Sequence, residues 1–346
     1  MQKKIILKGM DEFELQKYCV DLNIPKFHGT QLFRWLYKNH IQNVEKMNNI
    51  PKILKKEVIQ NAIINLLSVK IVSKSKVDKT TKFLLETVDK KYIETVSMIE
   101  DNRHTVCLSS QIGCNVDCDF CATGKMGIIR NLKVGEIVDQ LILVNKNIKT
   151  SVTNIVFMGM GEPFLNYNNV IKSCKILCNY KGFNLSSKRI TISTAGILPK
   201  IDLFIKEKHR YKIAISLNAS NNNTRDKIMP INKKWPLEKL VHSMKKYKFH
   251  NSTPIMIEYV LMHGVNDHQD DAKDLAKLLS GIKCKINLIP FNEIIGYYKR
   301  PNNQIINLFA NTLDKLSSKN LRVFIRWSKG EDIDAACGQL ATRNES

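Results

Sequence analysis

The run Gly113-Cys114-Asn115-Val116-Asp117-Cys118-Asp119-Phe120-Cys121-Ala122-Thr123-Gly124 carries three cysteines in the spacing C-x3-C-x2-C. Three clustered thiolates suit a cuboidal iron–sulfur cluster whose fourth iron has no protein ligand and stays open to a small molecule. A structural zinc site needs four closed ligands, usually in C-x2-C pairs, and no His or fourth Cys lies within a few residues of this loop. Cys107, seven residues upstream, keeps a four-cysteine zinc site open as an alternative. A nest of buried cysteines is the plainest reading, and Asn115, Asp117 and Asp119 speak against it by making the loop polar.

Outward from this loop, strands alternate with helical segments. Strands are expected at 106–109, 154–158, 189–194, 212–217, 255–261 and 285–289. Between the first two, Val134, Ile137, Val138, Leu141 and Val144 recur at helical spacing. Such βα repetition implies a parallel sheet in an α/β fold, and pattern alone leaves a doubly wound sheet and an open barrel both possible. In either, ligands gather at the carboxyl ends of the strands. The polar and glycine-rich residues fall there. The cysteine loop follows strand one, Gly159-Met160-Gly161-Glu162-Pro163 follows strand two, Ser193 and Thr194 end strand three, and Ser216-Leu217-Asn218 end strand four. A last strand at 322–326 precedes a C-terminal loop.

Ahead of this core, residues 1–72 read as a small helical domain. One stripe is Phe13, Leu15, Tyr18, Cys19 and Leu22, another Leu32, Phe33, Leu36 and Tyr37, with Pro25 and Gly29 punctuating the link. Lys26, Arg34 and Lys38 could face RNA or simply water. Residues 73–104 read as a hairpin linker, strands 82–88 and 92–99 flanking the turn Asp89-Lys90-Lys91. The remaining 105–346 form the catalytic core with its C-terminal loop.

The whole chain of 346 residues has room for one domain of that kind and a smaller one. No apolar run reaches the roughly 18 residues of a membrane span, and Met1-Gln2-Lys3-Lys4-Ile5-Ile6-Leu7-Lys8 lacks a signal-peptide core, so a cytosolic protein with no membrane partner is expected. Nine cysteines, an odd number without a secretory signal, point to metal and redox use rather than a structural disulfide framework. The net charge of +22 suggests a polyanionic partner such as nucleic acid. Of the 54 basic residues 44 are lysine, a bias that an AT-rich genome also produces, so charge supports an RNA partner without establishing it.

Two further segments give the pattern its specificity: Thr105-Val106-Cys107-Leu108 before the loop, and the tail Gly330-Glu331-Asp332-Ile333-Asp334-Ala335-Ala336-Cys337-Gly338-Gln339-Leu340. With the C-x3-C-x2-C loop and the 159–163 turn, they resemble the radical S-adenosylmethionine (SAM) RNA adenosine methyltransferases of the RlmN/Cfr family, the RlmN branch above all. The resemblance implies a partial (β/α)6 barrel and a [4Fe-4S] cluster on Cys114, Cys118 and Cys121. It implies SAM contacts from Gly161, Glu162, Ser193, Ser216, Leu217, Asn218 and Asn292. Relatives usually carry histidine where this chain has Asn218.

The family's chemistry also implies a role for each remaining cysteine of interest. Cys337 takes a methyl group from one SAM, and a radical made from a second SAM removes a hydrogen from it. The carbon radical then adds to adenine, Glu94 accepts the ring proton, and Cys107 releases the product by forming a disulfide with Cys337. Plainer readings remain beside these: a buried strand cysteine for Cys107, a packed one for Cys337, and a strand glutamate paired with a lysine for Glu94. Cys19, Cys174, Cys178 and Cys284 read as core packing. The implied substrates are 23S rRNA and tRNA, methylated at adenosine C2. Methylation at C8 of the rRNA adenosine is the alternative, and a non-catalytic RNA-binding or assembly protein with a structural metal is a third. An electron donor such as a flavodoxin-type reductase system and a monomeric state complete the expectations.

Overall fold

The computed structural model describes residues 4–247, 253–294, 296, 298–316 and 321–342. Met1, Gln2 and Lys3 of the opening segment therefore lie outside the described residues.

Ten strands make the main sheet: β1 (Leu67–Lys74), β2 (Thr80–Thr87), β3 (Tyr92–Glu100), β4 (Arg103–Cys107), β5 (Asn154–Phe157), β6 (Ile190–Thr194), β7 (Lys212–Ser216), β8 (Ile255–Leu261), β9 (Cys284–Pro290) and β10 (Leu321–Ile325). They lie side by side in unbroken sequence order. From β4 to β10 every neighbour is parallel. A doubly wound sheet reverses its strand order at a switch point, and this one never does. With right-handed crossovers, constant order keeps the crossover helices on one face, and twist curls the sheet around the other. That settles the sheet as the open (β/α) barrel, with β10 as a seventh parallel strand at its edge. The carboxyl ends of the strands consequently converge.

The helices are α1 (Glu12–Asp21), α2 (Phe27–Tyr37), α3 (Lys52–Asn61), α4 (Val134–Asn147), α5 (Tyr167–Cys178), α6 (Leu198–Lys206), α7 (Asn222–Ile228), α8 (Leu237–Lys246), α9 (Gln269–Leu278) and α10 (Asn303–Leu316). Helix α1 starts at a capping box in which Asp11 and Glu14 exchange side-chain-to-backbone hydrogen bonds. Its buried stripe is Leu15, Tyr18 and Cys19. Phe13, expected in that stripe, is exposed, because two residues before Leu15 is about 200° around the helix. None of the helices among the described residues is long and apolar enough to cross a membrane.

The stretch read as a hairpin linker is built into the sheet. Strands β2 and β3 pair antiparallel as expected, but β3 also pairs with β4 of the barrel and β2 with β1. Strand β1 lies between the helical stripe and the hairpin, outside the expected strands, although Leu67, Val69 and Ile71 alternate with Ser68 and Lys70; its residues are mostly exposed in the fold. One continuous apolar core runs from Leu15 and Phe33 in the N-terminal layer through Phe83 and Leu85 of β2 to Ile257 and Ile286 of the barrel. Cys19, Cys174 and Cys284 are buried in it and Cys178 packs against it, as expected for packing cysteines.

Candidate active site

The cysteine loop is bracketed by a two-stranded ribbon, Gln111–Gly113 against Ile128–Asn131. Within it Cys114 donates its N–H to Gly127 O (2.8 Å) and Cys121 to Cys118 O (3.1 Å), and one helical turn, Ala122–Lys125, follows. Asp119 pairs with Lys125 and accepts from Tyr298 Oη at 2.7 Å, fixing the outer side of the loop. Beneath lies an apolar nest of Val116, Phe120, Ala195, Met229 and Phe291, against which all three cysteines pack. Burial raises all three thiols, Cys114 to about 12 and Cys118 well above its ordinary value; repulsion from neighbouring loop cysteines adds to this at Cys114 and Cys118, and repulsion from Cys337 at Cys121. Three thiolates held here require a strong positive charge among them, which iron supplies. Among the described residues no three His, Cys, Asp or Glu side chains converge on one metal ion. Thiolates on separate corners of a cuboidal cluster do not have to.

The three cysteines open onto one cavity, and across it lie Gly161, Glu162, Ser193, Ser216, Asn218 and Cys337. Gly161 has φ +93°, and a Cβ there would lie 2.4 Å from Gln111 Cβ, so the turn requires glycine. Glu162 is buried. Its oxygens accept from Phe164 N (2.8 Å) and Ala195 N (2.7 Å), tying the end of β5 to the end of β6. Burial pushes its carboxyl up to about 7. A carboxylate offers about four lone-pair sites; with the Thr194 side chain also hydrogen-bonded to it, about one remains for a cationic ligand. Ser193 Oγ and Ser216 Oγ lie 3.5 Å apart. Asn218 has φ +59°, a left-handed conformation that asparagine tolerates better than most residues. Its side chain accepts from Val260 N (2.9 Å) and donates to Met229 Sδ (3.3 Å), so it is fixed between β7 and β8.

Two expected ligand contacts sit differently. Leu217 is fully buried and does not line the cavity; its carbonyl accepts from Arg225 Nε at 2.9 Å. Asn292 acts on the tail, Nδ2 donating to Cys337 O at 2.9 Å, while its buried Oδ1 has no partner.

Cys337 lines a second cavity as well, and Cys107 lies in that one. Cys107 ends β4, in register with Val96 and Val156, and burial pushes its thiol up to about 12. All nine cysteines are free thiols. The expected Cys107–Cys337 disulfide is therefore not a standing bond of the fold, which fits thiols on a strand end and on a separate tail. Glu94 is buried on β3, its Oε1 3.0 Å from Lys82 Nζ, and lines neither cavity. Desolvation raises its pKa, opposed by Lys82. The lysine pairing that was the plain alternative is present, but inside the protein rather than on its surface.

Sequence reasoning missed Glu258, Arg326 and Arg225. Glu258 lines the first cavity, accepts from Asn287 Nδ2 at 2.9 Å, and leaves Oε2 without a hydrogen bond, 3.9 Å from Arg326. A glutamate inside the otherwise apolar Ile255–Leu261 strand of a parallel sheet is itself a signal, because such strands are buried on both faces. Arg326 lines the second cavity beside both cysteines. Arg225 is buried and donates to Leu217 O, Ala195 O, Ser216 O and Asn232 Oδ1, joining the ends of β6 and β7. Nothing in its local sequence announces this.

Residues 108–279 match the radical SAM superfamily, and residues 5–64 match the ribosomal RNA large subunit methyltransferase N-terminal domain. A probable dual-specificity RNA methyltransferase RlmN of Pseudothermotoga lettingae is 43% identical over 94% of each chain. The dual-specificity RNA methyltransferase RlmN of Buchnera aphidicola subsp. Schizaphis graminum is 42% identical over 97% of this chain and 94% of its own. The crystal structure of a radical SAM methyltransferase from Sphaerobacter thermophilus superposes with a TM-score of 0.93 at 36% identity, covering 98% of this chain and all of that one.

Proposed function

This chain belongs to the RlmN family of radical SAM methyltransferases, and from that premise we propose that it methylates carbon 2 of adenosine in RNA. The substrates are an adenosine in the peptidyl-transferase region of 23S rRNA and the adenosine 3′ of the anticodon in tRNA. One observation carries the reading: Cys337 lines two cavities, with the three loop cysteines and Glu162 around one and Cys107 in the other.

The donor set fits the family's groups. Cys114, Cys118 and Cys121 would hold a [4Fe-4S] cluster, and Glu258 Oε2, which lines the first cavity without a hydrogen bond, can accept from a ligand bearing N–H or O–H donors. When bound, the cluster and SAM supply an electrophilic methyl group and a hydrogen-abstracting organic radical.

The rest is work for the chain's own residues. Adenine C2 is not nucleophilic, so the methyl group goes first to the Cys337 sulfur, whose lone pair forms the new S–C bond by displacement. Loss of a hydrogen atom from that S-methyl group turns it into a carbon radical. From the wall between the cavities, Cys337 offers this carbon to the base. A C–C bond forms, and the adduct gives up the C2 proton and one electron, for which a cluster held by Cys114, Cys118 and Cys121 would be the acceptor. Glu94, which lines neither cavity, is the proposed final acceptor of that proton; burial raises its carboxyl above the ordinary value, and Lys82 opposes the shift and steadies the carboxylate. Cys107 then attacks the Cys337 sulfur: an S–S bond forms, the S–CH2 bond breaks, and the departing carbon takes up a proton to become methyl. A two-electron reductant must reopen the disulfide. A cytosolic monomer served by a flavodoxin-type donor is the expected setting.

The test is nucleoside mass spectrometry after anaerobic reaction of the iron-reconstituted protein with SAM, a reductant and unmodified rRNA, beside Cys337→Ala. 2-Methyladenosine from the wild type alone is expected. 8-Methyladenosine would move the target atom while keeping the two-cysteine scheme. No methylated adenosine, despite SAM cleavage, would overturn the assignment.

A further inference from the structure

The cavity between Cys107 and Cys337 is bounded on one side by the residues that follow β10: Arg326, Trp327, Ser328 and Lys329. Trp327 lines this cavity and is nevertheless 46% exposed. An indole left in water beside a reaction cavity asks for a reason. The ring is also held in place. The guanidinium of Arg300 lies 5.2 Å from its centroid, and Arg300 is itself anchored by Glu331 at 3.1 Å. Lys329, paired with Glu100 at 3.5 Å, adds a second cation beside it. The result is a fixed aromatic surface flanked by two cations, each ion-paired with a glutamate, at the rim of the cavity that holds Cys107 and Cys337.

A nucleobase matches this combination. Its π-face stacks on indole whatever its sequence, and its phosphate is drawn to the flanking cations. The chemistry also creates a need for such a surface. The target carbon is on a ring edge, so the adenosine must leave its stack, and the neighbouring base then loses a stacking partner. The net charge of +22 attracts RNA without fixing which nucleotide faces Cys337. A stacked neighbour does fix it.

We propose that Trp327, backed by Arg300, is the stacking platform for one unpaired nucleobase of the RNA substrate adjacent to the target adenosine. This rests on the RNA methyltransferase reading above. An apolar side chain of a protein partner is the rival occupant, and the test separates the two.

The full-length protein is bound to a synthetic stem-loop RNA carrying an unpaired adenosine 3′ of its anticodon triplet, and to copies made abasic at each loop position in turn. Trp327→Ala is expected to weaken binding of the intact loop about 5- to 150-fold, and Trp327→Phe to restore most of it. At one abasic position Trp327→Ala should make no further difference, which identifies the stacked base. The chain has three tryptophans, so in a Trp35→Phe/Trp235→Phe background the remaining indole reports directly. Its emission should be quenched by the intact loop and not by the copy abasic at that position. Three results would each overturn the platform: an affinity of Trp327→Ala within about twofold of wild type, an equal loss at every abasic position, or emission that RNA leaves unchanged. None of these readouts needs turnover. RNA that binds and quenches but is never methylated would count against the methyltransferase reading and for the platform. Methylation with no dependence on Trp327 would do the reverse.

Discussion

At the seam between the N-terminal layer and α4, Lys8 Nζ lies 3.2 Å from Asp139 Oδ1 with both side chains out of solvent. The backbones touch there: a Cβ on Gly135 would lie 2.2 Å from Lys8 O. The Tyr37 hydroxyl accepts from Gly9 N at 2.7 Å and donates to Met10 O at 2.9 Å. The tail that carries Cys337 is held by other means. Asp332 accepts from Ser75 Oγ and Lys76 N, Gly330 N donates to Asp78, Ala122 N donates to Gly338 O, and Gln339 Nε2 donates to Glu293 O. These bonds reach the β1–β2 turn, the cysteine loop and the segment after β9, so the tail bridges the two ends of an open barrel across its mouth. The seam is dry, and removing one partner of its ion pair strands the other's charge. Many of the tail's bonds lie at a wet rim where water can replace them. The seam joins two layers of the fold, and the tail holds a sulfur that lines two cavities.

The largest expected effect lies on the tail's side of this contrast and is chemical. Cys107→Ala should cut RNA methylation at least about 10^3-fold while costing no more than about 2 kcal/mol of stability. In the proposed scheme methyl acceptance by Cys337 and addition to the base precede the missing step, so a covalent protein–RNA complex should build up, visible as a shifted band on a denaturing gel. Loss of activity with no such band would place Cys107 earlier in the reaction or outside it.

At the seam the expected effect is thermodynamic. Asp139→Ala leaves Lys8 buried without its counter-ion and removes the acceptor of Leu66 N (2.8 Å), which should cost about 3–5 kcal/mol in chemical denaturation. Lys8→Met combined with Asp139→Asn keeps an acceptor for Leu66 and removes both charges, and most of the loss should return. If the double variant is as unstable as the single one, the ion pair is not what holds the seam.

A smaller effect at the same seam depends on pH. Burial, then the charges of Lys8 and Lys146, lowers His40 to about 4 from its usual value near 6.5. Between those values the unfolded chain binds a proton that the folded one refuses. The contribution is therefore complete above about pH 6.5 and is lost as pH falls toward 4. With partial exposure discounted, the loss is on the order of 1–2 kcal/mol. His40→Asn should flatten the difference between denaturation midpoints at pH 7 and pH 5.

Much of this was legible in the residues themselves. The cysteine spacing, the glycine turn and the positions of β4 to β10 all follow from local patterns: thiol spacing, left-handed glycine and runs of apolar residues. What was not legible depends on partners far away in sequence. Asp332 meets Ser75 across the barrel mouth. Arg225 joins strand ends that are adjacent only after folding. Leu217 sits in a segment expected to contact a ligand, yet it is buried and its carbonyl accepts from Arg225. Glu94 could be placed on a strand face by alternation, but the lysine that meets it, Lys82 of the neighbouring strand, became visible only with the register.

The smallest expected effect is the most direct probe of the contrast. Asp332 is exposed, and its bonds to Ser75 Oγ (2.8 Å) and Lys76 N (2.9 Å) tie the start of the tail to the β1–β2 turn. Water can satisfy those donors when the carboxylate is removed, so Asp332→Ala should leave Tm unchanged within error. It should nevertheless speed amide hydrogen exchange across 330–340, because one of the few bonds fixing that segment's position is gone. Methylation should slow by a modest factor, since Cys337 spends less time between its two cavities. Exchange at Leu66 and Leu67, on the seam, should stay at its wild-type rate. If Asp332→Ala lowers Tm as Asp139→Ala does, or loosens the seam along with the tail, the two regions unfold as one unit. Cys337 would then have to move against the whole fold rather than with a tail that the fold leaves partly free.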